Sequence, residues 1–221
     1  MDTLTAAQIR RAVLILALLH IIIITISNYL VQIPVKILGF YTTWGTFSFP
    51  LVYLATDLTV RIFGRQKARK IIFLVMLPAL FISYLISVIF FEGRFQGLGS
   101  LTAFNLFVFR IALASFAAYA AGQFADILVF SRLRALKQWW IAPAASSLIG
   151  NLLDTIVFYY LAFWKSPDAF MAAHWLEIGT TDYCFKLLVS LMLFLPAYGV
   201  ILKAVTSRII AEQRQPLKPE F

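Results

Sequence analysis

The sequence predicts an all-α integral membrane protein with six transmembrane helices and both termini in the cytoplasm. Three observations carry this expectation. Of the 221 residues 62% are hydrophobic, against about 45–50% in a soluble domain, and a soluble fold could not cover that much apolar surface. Only 13% are charged, about half the usual share. The apolar residues fall into six runs of about 20 residues, and the basic residues gather on one side of the path those runs trace.

The first run, Ala12 to Val31, follows Arg10 and Arg11. It exceeds the roughly 7–15 residues of a secretory signal core and no Ala-x-Ala site follows, so it reads as a retained helix. The second is Thr46 to Phe63, the third Ile71 to Phe91 and the fourth Phe104 to Phe130. Trp139 to Trp164 and Tyr183 to Val205 complete the set. Each can cross a bilayer as a helix, whose backbone must bond to itself because lipid offers no partners. Nothing long is left for a soluble domain, so residues 1–221 read as one polytopic unit.

Arg10 and Arg11, then Arg65, Lys67, Arg69 and Lys70, then Arg132, Arg134 and Lys137, and finally Lys203, Arg208, Arg214 and Lys218 all fall on one side of the six-helix path. The opposite loops carry Lys36, Arg94 and Lys165. The positive-inside rule then puts both termini in the cytoplasm. The net charge of +9 is accounted for by topology and anionic headgroups. Nucleic acid is not an expected partner, since no basic helix stands free to enter a groove.

Metal and cofactor chemistry finds little support. Cys184 is the single cysteine, which excludes an intramolecular disulfide and a zinc site built on cysteine pairs. His20 and His174 lack a second ligand at metal spacing, and His20 reads as a helix-packing or cavity residue. There is no Ser activated beside a His, no His-Glu-x-x-His and no glycine-rich phosphate cradle, so no hydrolytic enzyme is indicated. No cofactor is expected.

The chemistry lies instead in polar residues placed within the apolar runs. The phrase from Gly122 to Phe130 recurs from Gly150 to Phe158, and each copy carries an amide and a carboxylate three residues apart: Gln123 with Asp126, and Asn151 with Asp154. A carboxylate at a helix centre costs roughly 2.5–3.5 kcal/mol in a membrane, so such groups face a cavity or a partner. The two copies share four of nine residues, and the other spans show no matching, which does not support a duplicated fold. Antiparallel helices joined near Ala135 would set Asp126 level with Ala144 and Asp154 level with Phe116. That places the two carboxylates ten residues, or about 15 Å, apart in depth. Asp154 and Asn151 then fall near the bilayer middle, with Asp126 and Gln123 toward the cytoplasmic rim.

Asn28 sits in the outer part of the first helix, and Asp57 and Arg61 are spaced to touch on the second. Arg110 and Lys186 are expected a turn or two from the outer ends of their helices. Ala114, Ala118 and Gly122, with Ala117, Ala121 and Ala125, give the fourth helix small faces that permit close helix approach, including a homodimer. A carboxylate for paired donors, amides that give and accept, and rings that stack together suit a planar polar heterocycle.

The stretch Gly45-Thr46-Phe47-Ser48-Phe49-Pro50, with Asp57 seven residues on and Phe63-Gly64 before a basic loop, resembles the second-helix signature of the vitamin uptake and queuosine-precursor transporters. Ser27-Asn28, Ser115, Gln123, Asp126, Phe130, Ser147, Asp154, Phe158, Lys186 and Pro196 also fall where that family's pattern puts them. The chain departs from the pattern at Arg61, where an acidic residue is usual, at Phe63, where Tyr is usual, and at Asn151, where Gln is common. The resemblance implies a bacterial inner-membrane importer of 7-cyano-7-deazaguanine and its aminomethyl analogue, salvaged to make queuosine. On that reading Asp154 with Asn151 binds the donor edge of the base, aided by Asn28 and Lys186, while Asp57, Asp126 and Gln123 line the cytoplasmic half. Two other classes are a substrate-binding subunit with an ATP-driven partner and a membrane enzyme or scaffold. The first commonly carries an Ala-x-x-x-Ala docking face on its first helix, and Ala12 to Val31 has none.

Overall fold

The computed structural model describes residues 6–133, 141–189 and 192. Helix α1 (Ala6–Leu30) leads into strands β1 (Pro34–Ile37) and β2 (Phe40–Thr43), a 3-10 turn over Trp44–Ser48, and helix α2 (Phe49–Phe63). Helix α3 (Arg65–Ile89) is followed by strands β3 (Phe90–Phe91) and β4 (Arg94–Phe95), and helices α4 (Leu106–Leu133) and α5 (Ile141–Phe163) follow. A further helix, α6, occupies 169–189. Among the described residues, three helices hold stretches long and apolar enough to cross a bilayer: Ala7–Leu30, Gln66–Ile89 and Leu106–Leu133. In α5 the apolar part, Leu148–Phe163, is shorter.

The surface is inverted relative to a soluble protein. On α1 the exposed residues Leu14, Leu18, Ile22 and Ile26 form a stripe at four-residue spacing, while His20 and Asn28 are buried. Such an arrangement is stable when the outer solvent is hydrocarbon. With its several apolar helices the chain is a multi-pass membrane protein.

Parallel packing of α1 on α3 is fixed by two polar contacts. Asn28 Nδ2 donates to Ser83 Oγ at 3.0 Å, and Gln32 Nε2 to Ser87 O at 3.4 Å. The ends of α1 and α3 therefore lie side by side, and so do the hairpins that follow them. Gln32 Oε1 ties them together by accepting from Glu92 N at 3.3 Å. The α4–α5 pair packs tightly where Gly122 meets Gly150 and Asp154. Its far end is closed by Arg110, whose guanidinium donates to Leu161 O and Lys165 O, each at 3.0 Å, and to Trp164 O. Arg110 thus supplies the partners that the last carbonyls of α5 lack.

Four expectations need correction. Two hairpins stand where the sequence suggested loops, pairing Pro34 with Thr43 and Phe90 with Phe95. Each turns on a two-residue unit with both φ positive, Leu38-Gly39 (51° and 92°) and Glu92-Gly93 (47° and 82°), the backbone that matches strand twist. The second helix starts at Phe49 rather than Thr46, because Pro50 sits in its first turn, where a missing N–H is harmless. The helix that contains Tyr183 starts at 169. Asp168 Oδ1 caps it by accepting from Met171 N at 2.8 Å. Lys186 is consequently seventeen residues into α6, not near its outer end. Of the expected sixth span, 190–191 and 193–205 lie outside the described residues, as does the α4–α5 connection at 134–140.

Candidate functional site

A cavity of about 440 Å³ runs between the hairpin end of the molecule and the α2–α3 turn. Asn28, Gln123, Asn151, Asp154 and Lys186, five of the seven residues expected at a site, all line it. The side chains of the other two, Asp57 and Asp126, lie outside the described residues, as does that of Arg61.

Lys186 organises the polar part of the wall. Its Nζ is 2.8 Å from Asp182 Oδ2, 3.3 Å from Asp154 Oδ2 and 3.2 Å from Thr155 Oγ1. The two carboxylates are unequal partners. Asp182 is one helical turn from Lys186 on α6 and its side chain is 4% exposed, whereas Asp154, on α5, is 33% exposed. Both carboxylates line the cavity; Asp182 is the closer and more buried partner of Lys186, and Asp154 the more exposed one.

The sequence reading missed Asp182, which fell one residue before the expected span. Its signal was the i, i+4 Asp–Lys pair, which becomes informative once the helix is known to begin at 169.

Gly122 sets how α5 lies on α4. A Cβ there would sit 3.3 Å from both Asp154 Cβ and Gly150 O, so the two repeated phrases pack against each other. Gly122 is thus level with the turn from Gly150 to Asp154. This corrects the depth expectation: along α4, Asp154 is about four to six residues from Asp126, roughly 6–9 Å at 1.5 Å per residue, instead of ten. The expectation failed because the helices are offset by several residues from the symmetric hairpin centred on Ala135.

The hairpin end of the cavity is closed by close contacts. Ser27 Oγ and Ser48 Oγ are 2.6 Å apart, and Ser48 Oγ donates to Gly45 O at 2.5 Å. Gly45 lies so close to α1 that a Cβ would overlap Val31, which explains a glycine in the Gly45–Pro50 stretch. Outside it, Tyr41 N donates to Glu177 Oε1 at 2.9 Å, and the Tyr41 ring meets Phe170 and His174 edge-on at 5.0 and 4.8 Å. Two turns before Ser27 on α1, His20 is buried, with Nδ1 2.8 Å from Leu16 O.

A buried polar crevice in an apolar helical shell is the architecture of a solute path. A family model described as "Putative vitamin uptake transporter" matches residues 43–201. The chain belongs to the vitamin uptake transporter family. It is similar to the "Queuosine precursor transporter" of Escherichia coli (strain K12), with 59% identity over 209 residues and 95% of each chain covered. It is also similar to the "Probable queuosine precursor transporter" of Haemophilus influenzae (strain ATCC 51907 / DSM 11121 / KW20 / Rd), 54% identical over 214 residues with 91% of each chain covered. That of Bacillus subtilis (strain 168) is 27% identical over 180 residues, covering 78% of this chain and 77% of the relative. No solved structure gives a significant match. As a member of this family the chain is a membrane transport protein, not an enzyme.

Proposed function

We propose that this chain imports queuosine precursors, as free 7-deazaguanine bases, across the bacterial inner membrane, and that Asp154 is the principal substrate ligand. The observation that carries the reading is the convergence of Asp154, Lys186, Asn151, Gln123 and Asn28 on one cavity. The guanine-like edge presents N1–H and an amino group, a donor pair that one carboxylate can accept together. Lys186 can donate to O6 of the same edge, and the amide of Asn151 can bond in either sense. Both 7-cyano-7-deazaguanine and the aminomethyl analogue carry this edge.

The arrangement also suggests how the site changes occupants. Lys186 holds Asp154 at 3.3 Å and Asp182 at 2.8 Å. An arriving base takes over Asp154 while Asp182 retains the ammonium, so no buried charge is left without a partner. Closure at Ser27–Ser48 and Tyr41–Glu177 fits a state shut toward the hairpins. With both termini cytoplasmic, as the basic loops indicate, that state faces inward. Asp57 and Asp126, on α2 and α4, belong to the inner half on this reading, and the small-residue faces of α4 permit a homodimer.

Uptake in cells unable to synthesise the precursor tests the assignment. Asp154→Asn, expressed at the normal level, is expected to lower uptake at limiting substrate about thirtyfold or more, from a loss of roughly 2 kcal/mol for a buried charged hydrogen bond. Wild-type uptake by this variant removes Asp154 from the site. Transport by the purified chain in liposomes without ATP separates a stand-alone carrier from a subunit that needs an ATP-driven partner.

A further inference from the structure

His20, Tyr119 and Gln123 share a property that the Asp154–Lys186 pair does not have. Among the described residues, His20 Nε2, Tyr119 Oη and Gln123 Oε1 are buried without a hydrogen-bond partner, and all three residues stand on the cavity wall. Buried polar atoms are nearly always paired, so a group of unpaired ones around a cavity points to a partner that comes and goes.

His20 fixes the chemistry of this group. Its Nδ1 is 2.8 Å from Leu16 O. A carbonyl only accepts, so Nδ1 carries the hydrogen and the Nε2 of the neutral ring is an acceptor. The residue is 2% exposed and belongs to the cavity lining. Gln123 Oε1 is a second acceptor, one residue from the Gly122 that abuts Asp154. Tyr119 adds a hydroxyl that gives or takes a hydrogen bond.

We propose that these residues form a second hydrogen-bonding subsite, in which His20 Nε2 and Gln123 Oε1 accept from the pyrrole N–H of a 7-deazaguanine base and so select free base over nucleoside. The proposal rests on Asp154 taking the N1–H and amino donors, which leaves the pyrrole N–H as the remaining ring donor. In a nucleoside a sugar replaces that hydrogen. The acceptors are then left buried and unpaired, and a site built around a hydrogen bond discriminates strongly against a ligand that lacks it.

Equilibrium binding to the purified chain in detergent tests this, with 7-cyano-7-deazaguanine and its N9-methyl derivative as probes. The wild-type chain is expected to hold the base about tenfold or more tightly than the N9-methyl compound. His20→Leu is expected to lower affinity for the base about tenfold and leave the N9-methyl affinity within about twofold, so the ratio falls toward one. Gln123→Leu, on a different helix, is expected to do the same and decides the matter should His20→Leu fail to fold. An undiminished ratio in folded variants means that these atoms do not meet the base and overturns the proposal. A wild-type chain that binds both probes equally overturns the subsite alone. One that binds neither overturns the Asp154 reading, and the subsite with it.

Discussion

Replacing Asp182 by Asn removes the carboxylate 2.8 Å from Lys186 Nζ while keeping the shape of the side chain. The ammonium then keeps Asp154 at 3.3 Å but has lost its nearer carboxylate. A base that binds Asp154 then draws it away from a lysine that has already lost its closest counter-ion. A buried charge stripped of its partner costs about 3–5 kcal/mol. The amide oxygen that the substitution introduces and Thr155 Oγ1, 3.2 Å from Nζ, return part of this, since hydrogen bonds to charged groups are worth roughly 1.5–3 kcal/mol. A net loss of about 1.5–3 kcal/mol corresponds to binding weakened roughly 10- to 100-fold. The assay is calorimetric titration of the purified chain with 7-cyano-7-deazaguanine, alongside a thermal melt. In a Lys186→Met background the Asp182→Asn change is expected to cost less than about twofold in affinity and to raise the melting temperature, because it removes a buried carboxylate that has lost its cation. An equal affinity loss in both backgrounds would refute the argument, for Asp182 would then act independently of Lys186.

Other expectations follow from the packing. Gly45→Ala should lower the melting temperature strongly, and Val31→Ala in the same chain should restore much of it, since the added methyl overlaps Val31; no restoration would place the strain elsewhere. Gly122→Ala puts a methyl 3.3 Å from Asp154 Cβ and Gly150 O. It should cost about 1–3 kcal/mol by overpacking and reduce uptake through Asp154, read from stability and transport measured together. Arg110→Ala leaves Leu161, Trp164 and Lys165 carbonyls without their donor, and should lower stability by roughly 1–3 kcal/mol, with proteolysis of the α5–α6 turn as the readout. Glu177→Ala should speed hydrogen exchange at the Tyr41 amide, which Glu177 Oε1 accepts from at 2.9 Å, without changing exchange in β3–β4.

The helices most legible in the sequence were those whose apolar runs needed no help from elsewhere, such as Ala12 to Val31, nearly all of it found inside Ala6–Leu30. Less legible was α6. Its part before Tyr183, with His174, Glu177 and Asp182, is too polar to register as a span, and its start depends on a capping contact from Asp168. The hairpins were invisible because strands of two to four residues carry no periodicity. Their turns were marked only by Gly39 and Gly93. Of the site, Asn28, Gln123, Asn151, Asp154 and Lys186 stood out as polar groups in apolar runs, and the cavity gathers all five. Asp182 and Tyr119 joined them only in three dimensions, while His20, read as a packing or cavity residue, lies in the same lining.

By itself the sequence determined that this is a helical membrane protein and which of its residues are too polar to face lipid. Both follow from local free energies: an apolar run of sufficient length partitions into hydrocarbon, and a carboxylate or amide within it must find a partner. The tertiary structure decided who the partners are. Helix depth from loop arithmetic assumes symmetric packing, but the absence of a side chain at Gly122 lets α5 seat the Gly150–Asp154 turn directly against α4. The early start of α6 carries Lys186 inward between Asp182 and Asp154. Side-chain pairing across helices is set by these offsets of a few residues, which depend on contacts between distant segments and so have no signature within any one of them.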